Sequence, residues 1–298
     1  NLCPTGCPSG AKQSTALTYL PEAVKLGAKI ITGHKAIIIN YGNNKFHTTK
    51  IKNQLNNNIT EINSDYIFLS GGAIQTPFLL QKSKIKTDAG RKLEFHFNLK
   101  FVAEFDKKIE AHKGTIFTIQ VQEFMNQGLL IMASNYQPHY LAMTLEHFGN
   151  NTINSVMERY EYCGLFVAQV QAKSKGRISN LYDESPLVTY SFNKMDLPLI
   201  KNAIKKTAKL LFQSGAVKVF LPIRGSKPIR QSELKKSKVI QNLKPKELEL
   251  VSVHAMASCS MGPNDNSVTD LSGKLNGCNK IHITDASVLP SNIGESPQ

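Results

Sequence analysis

The sequence predicts an α/β protein interrupted by an antiparallel insert, and three observations carry that expectation. Asp65-Tyr-Ile-Phe-Leu69 is an apolar run of buried-strand type that enters Ser70-Gly71-Gly72-Ala73 and then a helical segment through Lys82. Strand, glycine turn and helix in that order are how an α/β sheet presents backbone N–H groups to a phosphate or ribose. Downstream, residues 99–105, 115–123, 129–133, 165–172 and 187–192 alternate or run apolar at strand length, the habit of a largely antiparallel sheet. A clear amphipathic helix follows, with Asp196 as its cap, Ile200, Ile204 and Leu211 on one face and Gly215 as its stop.

The remaining elements follow from local rules. Residues 15–26 read as a helix closed by Gly27, with Pro21 tolerable only near the first turn. Residues 29–31 and 35–41 read as strands, 42–44 as a turn, and 45–51 as a returning hairpin strand. Residues 217–222 form another strand, and the basic, polar stretch 224–249 reads as a loop or lid. No internal repeat is present.

The chain has 298 residues, 41% of them apolar, enough for one large domain or two ordinary ones. No apolar run reaches the roughly 18 residues that cross a bilayer. The chain starts without methionine in a loop-like segment and stops abruptly at Glu295-Ser-Pro-Gln298, which reads as a piece of a longer protein. The net charge is +14, which raises an acidic partner as an option. The excess is mostly scattered lysine, however, with arginine confined to Arg91, Arg159, Arg177, Arg224 and Arg230. Nucleic-acid readers lean on arginine for bidentate contacts, so no nucleic-acid partner is expected. Weak peripheral attraction to an anionic membrane stays open.

Cys3, Cys7, Cys163, Cys259 and Cys278 are an odd number in a large chain, so no disulfide scaffold is implied and a reducing, cytoplasmic location fits. Cys3 and Cys7 form one close pair with no second pair to complete a zinc site, so no metal is expected. In Gly6-Cys-Pro-Ser-Gly10-Ala11-Lys12-Gln13 the lysine comes one place late for a G-x-x-x-x-G-K-S/T phosphate loop, and no hydroxyl residue follows it.

The C-terminal quarter is the informative part. His254-Ala-Met-Ala-Ser-Cys-Ser-Met-Gly262 is followed by Val268-Thr-Asp270-Leu-Ser-Gly273, and then by Asp285-Ala-Ser287-Val-Leu-Pro290. In order and spacing these resemble the H-x-M-G-T/S-C-x-M-G, V-x-D-x-x-G and D-A/G-S-x-x-P runs of the glucose–methanol–choline (GMC) family of FAD-dependent alcohol oxidoreductases. Gly72-Ala-Ile-Gln-Thr-Pro77 with Ser83 is similar to the family's second signature, and Gly90-Arg-Lys-Leu93 to His96 is similar to its G-x-N-L-x-x-H. The opening Cys-Pro-Ser-Gly-Ala-Lys-Gln-Ser-Thr stretch resembles the long-chain alcohol oxidase branch. The resemblance spans nearly the whole chain, strongest at 1–30, 66–97 and 250–298.

The resemblance implies a Rossmann-like FAD-binding domain, incomplete here, from residues 1–95 and 246–298, with an antiparallel-sheet substrate domain from 96–245. The family's G-x-G-x-x-G pyrophosphate turn would lie upstream of Asn1. The implied reaction is FAD-dependent oxidation of an alcohol to an aldehyde or ketone. The alcohol would be apolar on the long-chain likeness, and oxygen or a quinone- or cytochrome-type carrier would be the electron acceptor. A lyase on the same scaffold and a non-catalytic basic binding protein are the alternatives. His254 is implied as the catalytic base, since an imidazole can take a hydroxyl proton or steady a developing alkoxide. Ser296 falls where the family has a second active-site Asn or His. Asp285, Ala286, Ala36, Ser70, Gly71, Gly72 and Pro297 are implied FAD contacts. Asp285 also reads as a plain helix cap, Gly71 and Gly72 as tight packing, and His96 as structural. Ala257 and Lys84 stand where the family has glycine.

Overall fold

The computed structural model describes residues 2–3, 5–41, 47–134, 136–182, 184–264 and 266–297. Helix α1 (Tyr19–Lys25) is shorter than its sequence pattern, and Pro21 falls in its first turn, where a missing N–H costs nothing. Residues 29–31 do not form the expected strand: Ile30 and Ile31 are more than half exposed and pair with nothing among the described residues. Strands β1 (His34–Asn40), β2 (His47–Asn53) and β3 (Ile59–Ser64) form an antiparallel sheet. The turn expected at 42–44 lies outside the described residues.

Strand β4 (Ile67–Leu69) leads through Ser70 and Gly71 into α2 (Gly72–Lys82). Pro77 sits inside α2 and cannot donate to the Ala73 carbonyl. The buried Ser258 hydroxyl donates to that oxygen instead, at 2.6 Å. The helix ends in a Schellman arrangement, with Lys84 N–H bonded to the Gln81 carbonyl and Ile85 N–H to Leu80. Lys84 therefore takes a left-handed φ of 55°, so the family glycine it replaces has a conformational reason.

The insert is built on β5 (Glu94–Phe105), whose sequence alternates Glu94, His96, Asn98 and Lys100 with Phe95, Phe97, Leu99 and Phe101. Short β6 (Gln120–Val121), β7 (Leu129–Ala133) and β8 (Cys163–Gln171) extend the sheet. Helices α3 (Pro138–Thr144) and α4 (Asn150–Met157) lie between β7 and β8 in sequence. Strands β9 (Lys175–Tyr182) and β10 (Ser185–Ser191) form a separate hairpin. The polar β9 carried no strand signal. Helix α5 (Asp196–Gln213) leads into β11 (Ala216–Phe220), and the main sheet has the order β11-β5-β8-β7-β6, antiparallel throughout.

Because strand side chains alternate, this sheet has two different faces. Phe97, Leu99, Phe101, Ala168 and Val170 pack with Ile200, Ala203, Ile204 and Leu211 of α5 in the main core. A fully buried Leu or Ile contributes roughly 1.5–3 kcal/mol, so this face anchors the insert and leaves the other free for chemistry. Asp196 is not the cap of α5. It lies in the first turn, buried, and its carboxylate accepts Lys173 N–H, Ser174 N–H and the Ser174 hydroxyl at 2.7, 2.8 and 2.5 Å.

Residues 224–249 are also more ordered than a lid. They contain α6 (Gln231–Leu234) and α7 (Lys238–Gln241), and Ile240, Leu243 and Leu248 belong to the main core. Strand β12 (Ala255–Met256) pairs with the start of β5, and β13 (Ile281–Ile283) runs parallel to β4. Leu80, Cys259, Val268, Leu275, Ile281 and Ile283 form the core beside that pair.

Candidate active site

The segment before β12 runs antiparallel to β5. Val251 exchanges both backbone bonds with Asn98, and Ala255 lies opposite Phe95. That register brings His254 beside His96, with the two Nδ1 atoms 3.1 Å apart. His96 is fully buried, and its Nε2 accepts the Gly294 N–H at 3.0 Å. Burial first, and then the neighbouring His254, push the His96 pKa down to about 4. Burial alone lowers that of His254.

Gly294 belongs to a C-terminal strap that crosses the polar face of the sheet. Gln169 and Gln171 of β8 donate to the carbonyls of Gly294 and Asn292 at 2.9 and 2.6 Å, and Lys92 donates to Pro290 at 2.6 Å. Asn292 is the peg. Its N–H reaches Glu94 at 2.6 Å, and its side-chain amide donates to the carbonyls of Phe95 and Ala172 at 2.6 and 3.3 Å. Gly294, at φ 81°, takes a backbone conformation that suits glycine.

The strap, the 251–254 segment and the sheet enclose a cavity of about 590 Å³. His254 and Ser296 both line it, so two sequence-selected residues meet in one place. Its walls include Leu130, Met132, Leu165, Val167 and Val253, with Asn98, Lys100 and Gln169 as polar points. Asn98 is 9% exposed, and its Oδ1 has no partner among the described residues. Burial lowers the pKa of Lys100.

The glycine turn makes a second centre. Asp285 Oδ2 accepts Gly72 N–H at 2.9 Å and the Thr76 hydroxyl at 2.5 Å, while Oδ1 accepts Ser287 N–H at 2.8 Å. Asp285 thus caps the short 3₁₀ turn at Ala286 and ties it to the start of α2. The Ser70 hydroxyl bonds that of Thr284 at 2.6 Å. The Ala286 carbonyl accepts Ala257 N–H at 3.3 Å, joining the two C-terminal motifs. Ala257 has φ 67°, again left-handed where the family carries glycine. Ala36 and Gly71 line a different cavity, of about 700 Å³, together with Lys35, Lys52, Gln75 and Leu79. Pro297 lines none of the cavities described here.

The N-terminal profile of the GMC oxidoreductase family matches residues 1–98, and its C-terminal profile matches residues 172–298. The chain belongs to the GMC oxidoreductase family. An uncharacterised GMC-type oxidoreductase of Sinorhizobium fredii is 25% identical over 100% of this chain and 60% of its own length. A long-chain-alcohol oxidase of Arabidopsis thaliana, FAO4A, is 23% identical over 99% of this chain and 44% of its own length. The chain thus spans about half the length of the curated relatives it matches. The crystal structure of a pyridoxine 4-oxidase from Mesorbium loti superposes with a TM-score of 0.66 at 14% identity, covering 95% of this chain and 58% of that one, which shows a shared fold. No helix among the described residues is long and apolar enough to cross a membrane.

GMC oxidoreductases bind FAD, and the residues present fit part of that cofactor. The cavity at Ala36 and Gly71 combines lysines (Lys35, Lys52, Lys82) with amides (Gln54, Asn57, Gln75) and apolar walls (Ile37, Leu69, Leu79). That chemistry suits an anionic nucleotide with a flat base. The turn shows a division of labour. A Cβ on Gly71 would press on the Thr76 hydroxyl at 3.2 Å, whereas one on Gly72 would meet nothing within 4 Å but would sit on a left-handed backbone of φ 79°, so the first glycine eases packing and the second serves the turn's conformation.

Sequence reasoning missed His96 as a partner of His254, and it missed Asn292 and Thr76. The signal for His96 was present. Glu94, His96, Asn98 and Lys100 at every second place of an otherwise apolar strand mark a polar face that something must use.

Proposed function

We propose that this protein oxidises the CH–OH group of an alcohol to a carbonyl, with the reacting oxygen held in the cavity lined by His254 and Ser296. The meeting of those two residues on the polar face of a rigid sheet carries the reading. When bound, FAD supplies the acceptor for the hydride that leaves carbon. Ala36, Gly71 and the turn tied by Asp285 would hold it, with Ala286 beside that turn. His254 is the group placed to bond the substrate oxygen, and Ser296 offers a second, weaker hydrogen-bonding hydroxyl.

The aliphatic walls support an apolar alcohol, in line with the long-chain-alcohol oxidase relative. They also help to exclude water, which strengthens each polar contact inside. The electron acceptor is oxygen or a quinone- or cytochrome-type carrier. The test is anaerobic flavin bleaching by a series of primary and secondary alcohols in the complete protein. Bleaching with the native protein and a loss of at least about 100-fold in its rate with His254→Gln is expected. Unchanged bleaching in that variant would remove His254 from the reaction, and turnover of an alcohol without bleaching would point to a lyase.

A further inference from the structure

Strand β5 sets His96, Asn98 and Lys100 in a row on the face that α5 does not cover. The last of them is out of place by composition. Lys100 lies opposite Val167 of β8, and Val167 lies opposite Met132 of β7. Leu165 and Tyr140 line the same cavity. An apolar side chain would pack well there, whereas a half-buried ammonium costs free energy unless something pairs with it. The Lys100 ammonium has no ion pair or hydrogen bond among the described residues. Burial lowers its pKa, and no carboxylate acts against that shift.

The charged neighbours do not fill the need. Glu295 follows Gly294, which is tied to His96 and Gln169, back along the strand from Lys100. Lys100 and Val251 also border an adjoining cavity of about 610 Å³, whose titratable groups are Glu146, His147, Arg224 and Glu249. There Glu249 is paired with Arg224. The Asn98 amide adds a second polar point to the same wall, buried and with its Oδ1 unpartnered. Turned over, that amide presents N–H in place of C=O.

We infer that Lys100 is a specificity-determining residue that binds a carboxylate at the far end of the substrate, so that the preferred alcohol is a hydroxy acid with an apolar spacer. This rests on the reading of His254 as the group at the reacting oxygen. His254 lies beside His96, and four residues of strand separate His96 from Lys100, roughly 13 Å at ~3.3 Å per residue. Between the two ends the walls are aliphatic, with Leu130, Met132 and Val167. One ammonium beside one amide matches a singly charged carboxylate better than a phosphate, which calls for arginine or a cradle of backbone N–H groups.

The experiment is calorimetric titration of the complete protein with dodecanoate, which carries the acid and the apolar chain but no hydroxyl to oxidise. Beside it, kcat/KM is compared for ω-hydroxydodecanoate and dodecanol. Dodecanoate is expected to bind, and Lys100→Met to weaken it by about 10- to 100-fold, the loss of a hydrogen bond between charged groups. Lys100→Arg should keep most of the affinity. The preference for ω-hydroxydodecanoate over dodecanol should fall by the same factor in Lys100→Met, mainly through KM. Equal dodecanoate affinity in the native protein and a folded Lys100→Met, or a native preference for dodecanol, would overturn the inference. Tighter binding of dodecyl phosphate than of dodecanoate would overturn the assignment to a carboxylate. Should Lys100→Met fail to fold, the native preference decides. Failure of every alcohol to bleach the flavin would remove the oxidation reading, and the dodecanoate titration would still test the Lys100 site by itself.

Discussion

Asn292→Ala removes the peg of the strap without touching the cavity walls. The side chain makes two donated bonds, to the carbonyls of Phe95 and Ala172, and accepts the Gly294 N–H at 3.2 Å. Each net bond contributes about 1 kcal/mol, and a buried group left unpaired costs about 1–3 kcal/mol. The residue is 2% exposed, so water cannot readily replace what is lost. Together these give a destabilisation of about 2–4 kcal/mol, or roughly 3–6 °C in Tm for a chain of this size. Thermal melting followed by circular dichroism measures it. Asn292→Asp should recover little, because a carboxylate cannot donate to either carbonyl. A Tm within about 1.5 °C of the native value for Asn292→Ala, less than ~1 kcal/mol, would refute the peg and imply that the bonds from Lys92, Gln169, Gln171 and the strap's own backbone hold it without that side chain.

Ser258→Ala should cost about 1–3 kcal/mol by leaving the Ala73 carbonyl, already denied its helical donor by Pro77, without the hydroxyl that serves it; urea denaturation of the variant checks this. Lys84→Gly should instead stabilise by about 1 kcal/mol, since relief of a left-handed lysine outweighs the added freedom of the unfolded chain, and an unchanged or lower denaturation midpoint would count against that conformation. Acid should weaken the fold through His96. Its pKa is about 4 in the fold against an ordinary 6.5, so the unfolded chain binds the extra proton in between. The stability it supports is complete above pH 6.5 and is lost as pH falls through 4, by up to about 3 kcal/mol. Stability measured against pH should lose that component in His96→Gln.

The legible part of the fold was the part written in apolar periodicity. Helix α5, with Ile200, Ile204 and Leu211 on one face, and strand β7 at Leu129–Ala133 emerged where the pattern set them. The hairpin strand β9 did not, because Lys175-Gly-Arg-Ile-Ser-Asn180 is poor in strand formers and Ile178 is the one apolar side chain buried in that stretch; its place is set by pairing with β10. Asp196 looked like a cap because it opens an amphipathic run, and only the return of residues 173–174 to the helix start gives its carboxylate another use. The strand expected at 29–31 failed for the opposite reason: its residues are apolar enough, but no described neighbour covers them. At the site, the motif spacing singled out His254 and Ser296, and the fold supplied their shared cavity. Asn292 and Gly294 escaped notice because what they do depends on backbone groups of β5 and on a glycine dihedral, neither of which leaves a mark in local composition.

The strap also has a consequence for how such a protein could change its diet over generations. Everything that fastens it grips backbone carbonyls, backbone N–H groups or Asn292. None of the bonds described depends on the side chains of Ile293, Glu295 or Ser296. Glu295 and Ser296 nevertheless border the cavity. Mutation there can redraw the edge of the pocket while the path of the chain, and the sheet beneath it, stay as they are. The shape of that edge is thereby decoupled from foldability, with the positions free of fastening bonds gathered in a short stretch that selection can rewrite one residue at a time.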